Sequence, residues 1–150
     1  MPAREPRPDR LKKQMIRSVG RLHTFWYRAT GGLIGGWAGG PSLLLTTTGR
    51  KSGKPRTLPL LYLKTARGYA LVASFGGSDQ HPAWYLNLEA NPEVEIQVGP
   101  RRLRARAQTA DEERRAELWP RLLKLYGGYA SYQQRTERKI PVVELVPESG

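Results

Sequence analysis

The sequence predicts an α+β fold in which about six mostly antiparallel strands form a small barrel with helices around it. Three observations support this prediction. Short β-prone runs recur through the middle of the chain, glycine and proline mark tight turns between them, and helical patterns stand before, between and after them. Because tight turns join antiparallel neighbours, an antiparallel barrel is favoured over a doubly wound sheet.

Length and composition fit one domain. The 150 residues contain no repeat and no linker-like segment, and 39% of them are hydrophobic, which is enough for a packed core. We therefore predict a disordered, basic N-terminus at residues 1–8 and a single domain at residues 9–150.

A basic amphipathic helix is predicted to begin at Asp9. Apolar side chains recur there at spacings of three and four, as on one face of a helix: Leu11, Met15, Val19, Leu22 and Trp26. Lysine and arginine fill much of the remaining surface, so the helix could pack on its own domain or lie on an anionic membrane. The glycine-rich segment 30–40 that follows lacks the spacing of a dinucleotide fingerprint.

Two β-prone runs, residues 43–48 and 56–63, flank a basic turn. Pro59 inside the second run predicts an edge or bulged strand, because proline cannot donate to a sheet ladder. The turn and its exit combine two glycines and a proline with four cations: Gly49, Arg50, Lys51, Gly53, Lys54, Pro55 and Arg56. Such a turn suits a ligand with several negative groups, but a solvated hairpin tip has the same composition, and both interpretations remain open.

Strands and helices alternate in the second half of the chain. A short helix is predicted to start near Pro82, because proline suits the first position of a helix. A capping box begins at Thr109. The longer helix that it opens runs to about Tyr126, where two glycines end it. Further strands are predicted at residues 69–74, 94–98, 103–108 and 140–146.

Charge and residue usage limit the function. The net charge of +12 favours an anionic partner, whether nucleic acid, anionic lipid or a polyanionic small molecule. The absence of cysteine excludes disulfides and cysteine nucleophiles and permits a cytoplasmic location. With only His23 and His81 as histidines and no ligand cluster, we predict no metal site. Ser52 and Ser74 have no histidine partner in sequence context, so a hydrolase is unsupported.

Three tyrosines lie beside the glycine pair, at Tyr126, Tyr129 and Tyr132. Because they fall three apart, they share one side of a helical turn. Phenols arranged in this way can line a pocket, donate hydrogen bonds and stack on flat ligands. The same spacing is typical of a helix that buries one face in a core, and Trp84 and Tyr85 have the same two interpretations.

Several stretches together resemble the deazaflavin-dependent nitroreductase family, F420-dependent oxidoreductases of actinobacterial type. They are LLLTTTGRKSGKPRTLPLLYL (43–63), VASFGG (72–77), HPAWYLNLEANPEVEIQVG (81–99), LYGGYASY (125–132) and IPVVEL (140–145). The resemblance covers roughly residues 25–147, and the motifs keep the family's order and spacing. It implies a split β-barrel related to flavin-binding pyridoxamine-phosphate-oxidase-like proteins. It also implies coenzyme F420, a deazaflavin whose tail carries a phosphate and several carboxylates.

The resemblance implies a site spread along the chain. Arg50, Lys51 and Arg56 match basic positions that pair with the coenzyme tail. The full set of implied coenzyme-binding residues is Gly49, Arg50, Lys51, Ser52, Arg56, Pro59, Leu60, Leu61, Val72, Ala73, Ser74, Phe75, Ala83, Trp84, Tyr85, Asn87 and Tyr129. The residues implied near the ring face and the substrate, and therefore the candidates for catalysis, are Ser74, Tyr126, Tyr129 and Tyr132.

Three positions depart from the family pattern. Leu61 stands where some members have a tyrosine, Phe75 where a lysine can follow the serine, and Gly127 where a proline can occur. These departures lie on the substrate side, so the resemblance predicts the cofactor better than the substrate.

The leading prediction is an oxidoreductase that transfers a hydride from reduced F420 to a flat electrophilic acceptor such as a quinone, an enone or a nitroaromatic compound. The alternatives are a split-barrel oxidoreductase that binds FMN and a basic module that binds nucleic acid or a membrane surface. We expect a small-molecule acceptor, no nucleic acid, and a monomer or homodimer. We also expect a cytoplasmic enzyme that can lie at the inner face of the plasma membrane.

Overall fold

The computed structural model describes residues 41–148, which form one antiparallel sheet and three helices. The strands are β1 (Ser42–Thr48), β2 (Pro55–Leu61), β3 (Leu63–Lys64), β4 (Tyr69–Val72), β5 (Glu93–Val98), β6 (Arg101–Thr109) and β7 (Val142–Pro147). The helices are α1 (Ala83–Ala90), α2 (Glu112–Leu125) and α3 (Gly128–Gln134), and a 3-10 turn covers Phe75–Gly77. The helix predicted from Asp9 and the glycine-rich segment 30–40 lie outside the described residues.

The seven strands form a curled sheet in the order β2-β1-β5-β6-β7-β4-β3. β2 and β3 occupy opposite edges of this sheet although only Tyr62 separates them. So short a segment reaches both edges only if the sheet curls on itself, which gives a half-open barrel. The predicted antiparallel barrel is confirmed, and Pro59 lies in an edge strand as predicted. The predicted run 56–63 divides at Tyr62, so there are seven strands rather than six.

The inner face of the barrel carries the main core. Leu43 and Leu45 of β1 are fully buried there, as the two-residue period of a strand requires. Trp84, Tyr85 and Leu88 of α1 belong to the same core. Burial of these three side chains fixes α1 against the barrel and thereby sets the position of its polar residues.

A second cluster, called the outer cluster below, lies on the outer face of β4 and β7, where α2 and α3 pack. Val72 and Val142 cluster there with Leu118 and Leu122 of α2 and with Tyr129 of α3. This packing places the tyrosine-bearing helix beside the end of β4. The loop that connects β4 to α1, residues 73–82, starts at the same point and is called the β4–α1 loop below.

Two helix starts differ from the predictions. The capping box at Thr109 is wrong: Asp111 is the N-cap of α2, and its carboxylate accepts a hydrogen bond from the N–H of Arg114 at 2.8 Å. Thr109 instead remains in β6, where it pairs with Val143. Pro82 is the N-cap of α1 rather than its first helical residue. Within residues 41–148, no helix is both long enough and apolar enough to cross a membrane.

Candidate active site

The basic turn between β1 and β2 is tightly closed by its own backbone. Gly49 donates its N–H to the carbonyl of Lys54 at 2.8 Å, and Gly53 donates to the carbonyl of Gly49 at 2.8 Å. Gly53 has φ +71°, a conformation that glycine adopts without strain. A Cβ at Gly49 would lie 2.7 Å from Ser52 Oγ and 3.2 Å from the Lys54 carbonyl oxygen, so a larger residue would have to displace atoms of the turn itself.

Asn87 of α1 connects this turn to the barrel. Its Nδ2 donates to Thr47 Oγ1 of β1 at 3.3 Å. Its Oδ1 accepts two hydrogen bonds from Arg50, one from the backbone N–H at 3.2 Å and one from Nη1 at 3.0 Å. Asn87 is only 4% exposed, so the amide is a buried connection among helix, strand and turn.

The remaining cations of the turn are exposed and face no carboxylate in the described part of the chain. Lys51, Lys54 and Arg56 are exposed, and none of the five ion pairs among residues 41–148 involves them. The N–H groups of Lys51 and Ser52 also find no acceptor among these residues. Unpaired cations beside free N–H donors fit the phosphate and carboxylates of an F420 tail.

The β4–α1 loop carries the next group of predicted residues. Ser74 is half-buried, and none of the hydrogen bonds among residues 41–148 involves its hydroxyl. The backbone then turns sharply, with φ of 45° at Phe75, 63° at Gly76 and 81° at Gly77. A Cβ at Gly77 would lie 2.8 Å from the carbonyl oxygen of Tyr132, so the loop packs directly on α3. Phe75 itself is 52% exposed.

The three tyrosines form one cluster beside this loop. The Tyr126 and Tyr132 hydroxyls lie 2.9 Å apart, and the Tyr126 and Tyr129 rings meet edge to face with centroids 5.0 Å apart. The predicted shared side is confirmed, although Tyr126 is the C-cap of α2 and only the other two lie on α3. Arg135 lies over the Tyr132 ring at 5.7 Å.

The three tyrosines differ in burial, and this difference affects their pKa values and the roles that each can have. Tyr129 belongs to the outer cluster, and burial together with its two tyrosine neighbours raises its pKa to about 12. The hydrogen bond with Tyr126 is the main cause that raises the pKa of Tyr132. Tyr126 is 40% exposed. Near neutral pH Tyr129 and Tyr132 are therefore protonated and can donate hydrogen bonds.

The other predicted site residues lie in or beside the barrel wall. Val72, Ala73, Trp84 and Tyr85 are buried, and the Tyr85 hydroxyl lies 3.3 Å from Thr109 Oγ1. Ala83 is exposed at the start of α1. The predicted residues of β2 are half-buried: Leu60 packs against the main core, Leu61 packs against the outer cluster, and Pro59 belongs to neither.

The structure therefore brings the predicted residues together in two groups. The first is the basic turn with Asn87, and the second is the Ser74 loop with the tyrosine cluster. α1 joins them, since Ala83 and Asn87 lie one helical turn, or about 6 Å, apart. Sequence reasoning missed Arg138, which contacts the second group from the segment between α3 and β7.

The fold and this two-part site indicate the class of protein to which the chain belongs. The half-open antiparallel barrel is the split-barrel fold of flavin and F420 reductases, and in this chain it carries a cation-rich turn and an aromatic cluster. A heme storage protein, HutZ of Vibrio cholerae, shares the fold at a TM-score of 0.58 and 17% identity, over 73% of this chain and 83% of that one.

The particular family follows from closer relatives. The family model described as F420H(2)-dependent quinone reductase matches residues 19–147. The chain belongs to this family. The expected split-barrel fold, the F420-dependent oxidoreductase activity and coenzyme F420 are thereby confirmed, and the FMN and nucleic-acid alternatives are not favoured.

Individual relatives agree with this assignment. The chain is 46% identical over 144 residues to an F420H(2)-dependent quinone reductase of Mycobacterium tuberculosis H37Rv, covering 90% of this chain and 97% of the relative. A solved F420-H2 dependent reductase is 44% identical, with a TM-score of 0.63 over 72% of this chain and 94% of that one. A solved protein described as a domain-swapped dimer is 37% identical, with a TM-score of 0.65 over 93% and 98% of the two chains.

Proposed function

We propose that this enzyme reduces a quinone with reduced F420 and that the basic turn and the tyrosine cluster hold opposite ends of the reacting pair. The observation that carries this proposal is the double hydrogen bond from Arg50 to Asn87. It fixes the cation-rich turn against the same helix whose first residues adjoin the Ser74 loop. A coenzyme with an anionic tail and a flat ring can span these two places.

The tail is assigned to the turn. Arg56 and Lys51 supply exposed charges for the phosphate and carboxylates, with Arg50 held in place by Asn87. Gly49 and Ser52 shape the turn, and the free N–H groups at its tip add neutral donors. Several charged contacts in one place favour a long polyanion over the single phosphate of FMN.

The ring is assigned to the wall between the two groups. The wall residues are Pro59, Leu60, Leu61, Val72, Ala73, Phe75, Ala83, Trp84, Tyr85 and Tyr129. Reduced F420 supplies a hydride when it is bound, so the chain needs no nucleophile of its own. These wall residues hold the ring at a fixed distance from the acceptor and exclude water.

The acceptor side is assigned to Ser74 and the tyrosines. The Ser74 hydroxyl takes part in none of the hydrogen bonds among the described residues, so it can donate to an acceptor oxygen. Tyr126 and Tyr132 share a hydrogen bond through which a proton can reach that oxygen. Tyr129 stays protonated because its pKa is about 12, and it supports the other two rings.

Single-turnover kinetics test this proposal. The purified enzyme is loaded with reduced F420 carrying deuterium at C5 and mixed with a soluble quinone, and oxidation of the coenzyme is followed by absorbance. We expect a primary isotope effect and a rate that saturates with quinone. Oxidation that is indifferent to quinone, or to deuterium under conditions where chemistry limits the rate, contradicts the proposal.

Two finer expectations belong with this proposal. One is a cytoplasmic enzyme whose basic N-terminal helix, predicted for residues 9–28, contacts an anionic membrane where lipid quinones reside. The other is a monomer or homodimer. Co-sedimentation of the full chain and of a chain beginning at residue 29 with anionic and neutral vesicles tests the first expectation. Light scattering tests the second.

A further inference from the structure

Arg138 binds one loop through three different carbonyl oxygens. Its Nε donates to the carbonyl of Ser78 at 2.7 Å, its Nη2 to that of Ser74 at 2.8 Å, and its Nη1 to that of Ala73 at 3.2 Å. All three belong to the β4–α1 loop, some 60 to 65 residues earlier in the chain. A guanidinium has five donors in a rigid plane, so this set of contacts fixes the loop in orientation as well as in distance.

Neighbouring contacts extend the same attachment. Thr136 Oγ1 donates to Asp79 Oδ1 at 2.7 Å. Arg138 Nη1 also lies 3.3 Å from His81 Nδ1, and because a guanidinium only donates, this ring nitrogen is the acceptor. The segment after α3 therefore supports the loop from Ala73 to His81 along one side.

The loop needs such support because its own backbone is poorly restrained. Phe75 has a left-handed φ of 45°, which non-glycine residues rarely adopt. The loop's internal backbone bonds are those from Gly77 to Ser74 and from Ser78 to Phe75. Two turn bonds of this kind do not by themselves hold a conformation against strain.

The Arg138 contacts also decide what the loop presents on its other side. In a trans peptide the carbonyl and the following N–H point in opposite directions. With the carbonyls of Ala73 and Ser74 directed at Arg138, the N–H groups of Ser74 and Phe75 point away from it. Neither N–H has an acceptor within residues 41–148.

We propose that Arg138 is the positioning residue of the active site: it holds the β4–α1 loop so that the Ser74 hydroxyl and the two adjacent N–H groups face the coenzyme and acceptor. Arg138 touches neither ligand and acts through the loop. The proposal rests on the proposed function only for the identity of the ligands. The attachment of the loop can be measured without them.

The first test uses the protein without coenzyme. Hydrogen exchange of the peptide covering residues 73–82 is compared among the wild type, Arg138→Ala and the control Arg115→Ala. Arg115 binds the carbonyl of Ile140 and the side chain of Gln133 in the same part of the fold but does not contact the loop. We expect exchange in this peptide to rise about tenfold or more in Arg138→Ala and to stay unchanged in Arg115→Ala.

The second test measures function in the same three proteins. We expect Arg138→Ala to lower F420 affinity and kcat with quinone by about tenfold each, because loss of a charged donor leaves several carbonyls unpaired. Added methylguanidine is expected to restore part of both quantities in Arg138→Ala and to have no effect on Arg115→Ala. Arg138→Lys keeps the charge but not the fork, so it is expected to recover stability without recovering kcat, and it replaces Arg138→Ala if that variant does not fold.

The outcomes separate the two claims. If the wild type fails to bind F420, the proposed function fails, while the exchange data still decide whether Arg138 holds the loop. If the wild type binds and turns over, but the Arg138 variants keep wild-type exchange, affinity and kcat, the role of Arg138 is refuted. Equal exchange and kcat losses in Arg115→Ala also refute it, because they indicate a general loss of stability.

Discussion

Asn87 Oδ1 accepts both the backbone N–H of Arg50 at 3.2 Å and its Nη1 at 3.0 Å, across 37 residues of sequence. The same amide donates to Thr47. One buried side chain thus determines how the basic turn sits on the barrel and removes much of the freedom of the Arg50 guanidinium. Preorganised charge binds an anion more tightly than a free side chain, because less entropy is lost on binding.

Replacing Asn87 with alanine tests this preorganisation. We expect Asn87→Ala to weaken F420 binding by about tenfold, since it frees Arg50 and leaves donors unpaired. The measurement is a fluorescence titration with oxidised F420. Asn91→Ala is the matched control: Asn91 caps the same helix, and within residues 41–148 its side chain accepts only the N–H of Glu93. An equal loss in both variants contradicts a specific role for Asn87.

The exposed cations of the turn are expected to recognise the coenzyme's tail rather than its ring. Lys51→Ala and Arg56→Ala are each predicted to lower F420 affinity by about five- to tenfold at low salt, with a smaller effect at high salt. Neither substitution is expected to change affinity for the deazaflavin that lacks the phosphate and glutamate tail. Arg104→Ala, an exposed cation on β6, serves as the control. Equal losses with the tailless compound argue against the assignment.

Gly128 is predicted to determine the position of Tyr126. A Cβ at this glycine would lie 2.5 Å from Tyr126 Cζ and 2.6 Å from its hydroxyl oxygen, so Gly128→Ala must displace the ring. Loss of the Tyr126–Tyr132 bond removes the main cause that raises the pKa of Tyr132. We expect that pKa to fall in a spectrophotometric titration and the KM for quinone to change by about threefold or more.

Gly127→Ala is the matched control for this experiment. At Gly127 the nearest atom to a Cβ is the Leu123 carbonyl oxygen, 4.0 Å away, so alanine fits without displacing a neighbour. We expect wild-type tyrosine titration and wild-type KM in this variant. If Gly128→Ala behaves in the same way, the tyrosine cluster does not depend on this glycine.

Glu144 is predicted to make the free energy of unfolding depend on pH in the acid range. This β7 carboxylate is 3% exposed, and its Oε1 and Oε2 accept from Arg114 Nε at 2.6 Å and Nη2 at 3.1 Å. The Arg114 hydrogen bonds hold its pKa below the ordinary 4.5, although burial opposes them. A lowered folded pKa means that the stabilisation is complete above about pH 4.5 and is lost as pH falls through the folded value.

Urea unfolding at several pH values measures this effect. We expect Glu144→Gln to lower the free energy of unfolding by about 2 kcal/mol near neutral pH and to flatten its decline below about pH 4.5. Glu93→Gln removes an exposed ion pair with Arg106 and is expected to change it by less than about 0.5 kcal/mol. If the free energy of unfolding declines equally with acid in the wild type and in Glu144→Gln, Glu144 is not the source of the acid dependence.

Local patterns predicted the strands and the tyrosine cluster well. Alternating residues such as Val94 and Ile96, which are separated by an exposed glutamate, report which face of a strand is buried, and this information is local. The start of α2 was harder, because Thr109 and Asp111 are both good caps and only the pairing of Thr109 with Val143 decides between them. The closure of the barrel at Tyr62 also depends on the whole sheet.

The contacts that position the site residues could not be predicted from local sequence patterns. Arg138 stands in the charged stretch QQRTERK, where nothing distinguishes it from a solvated cation. The carbonyl groups that it binds lie 60 to 65 residues away in sequence, and Asn87 lies 37 residues from Arg50. The family resemblance supplied Asn87 as a site residue, but only the tertiary structure shows that its side chain binds Arg50 rather than facing outward.

The most direct measurement is a parallel titration of the purified full chain with oxidised F420 and with FMN, followed by fluorescence. We predict F420 binding about a hundredfold tighter than FMN binding, because several charged contacts hold a polyanionic tail where FMN offers one phosphate. We also predict that Lys51→Ala combined with Arg56→Ala removes most of this preference. FMN binding as tight as F420 binding, or no binding of either, would contradict the assignment of the basic turn to the deazaflavin tail.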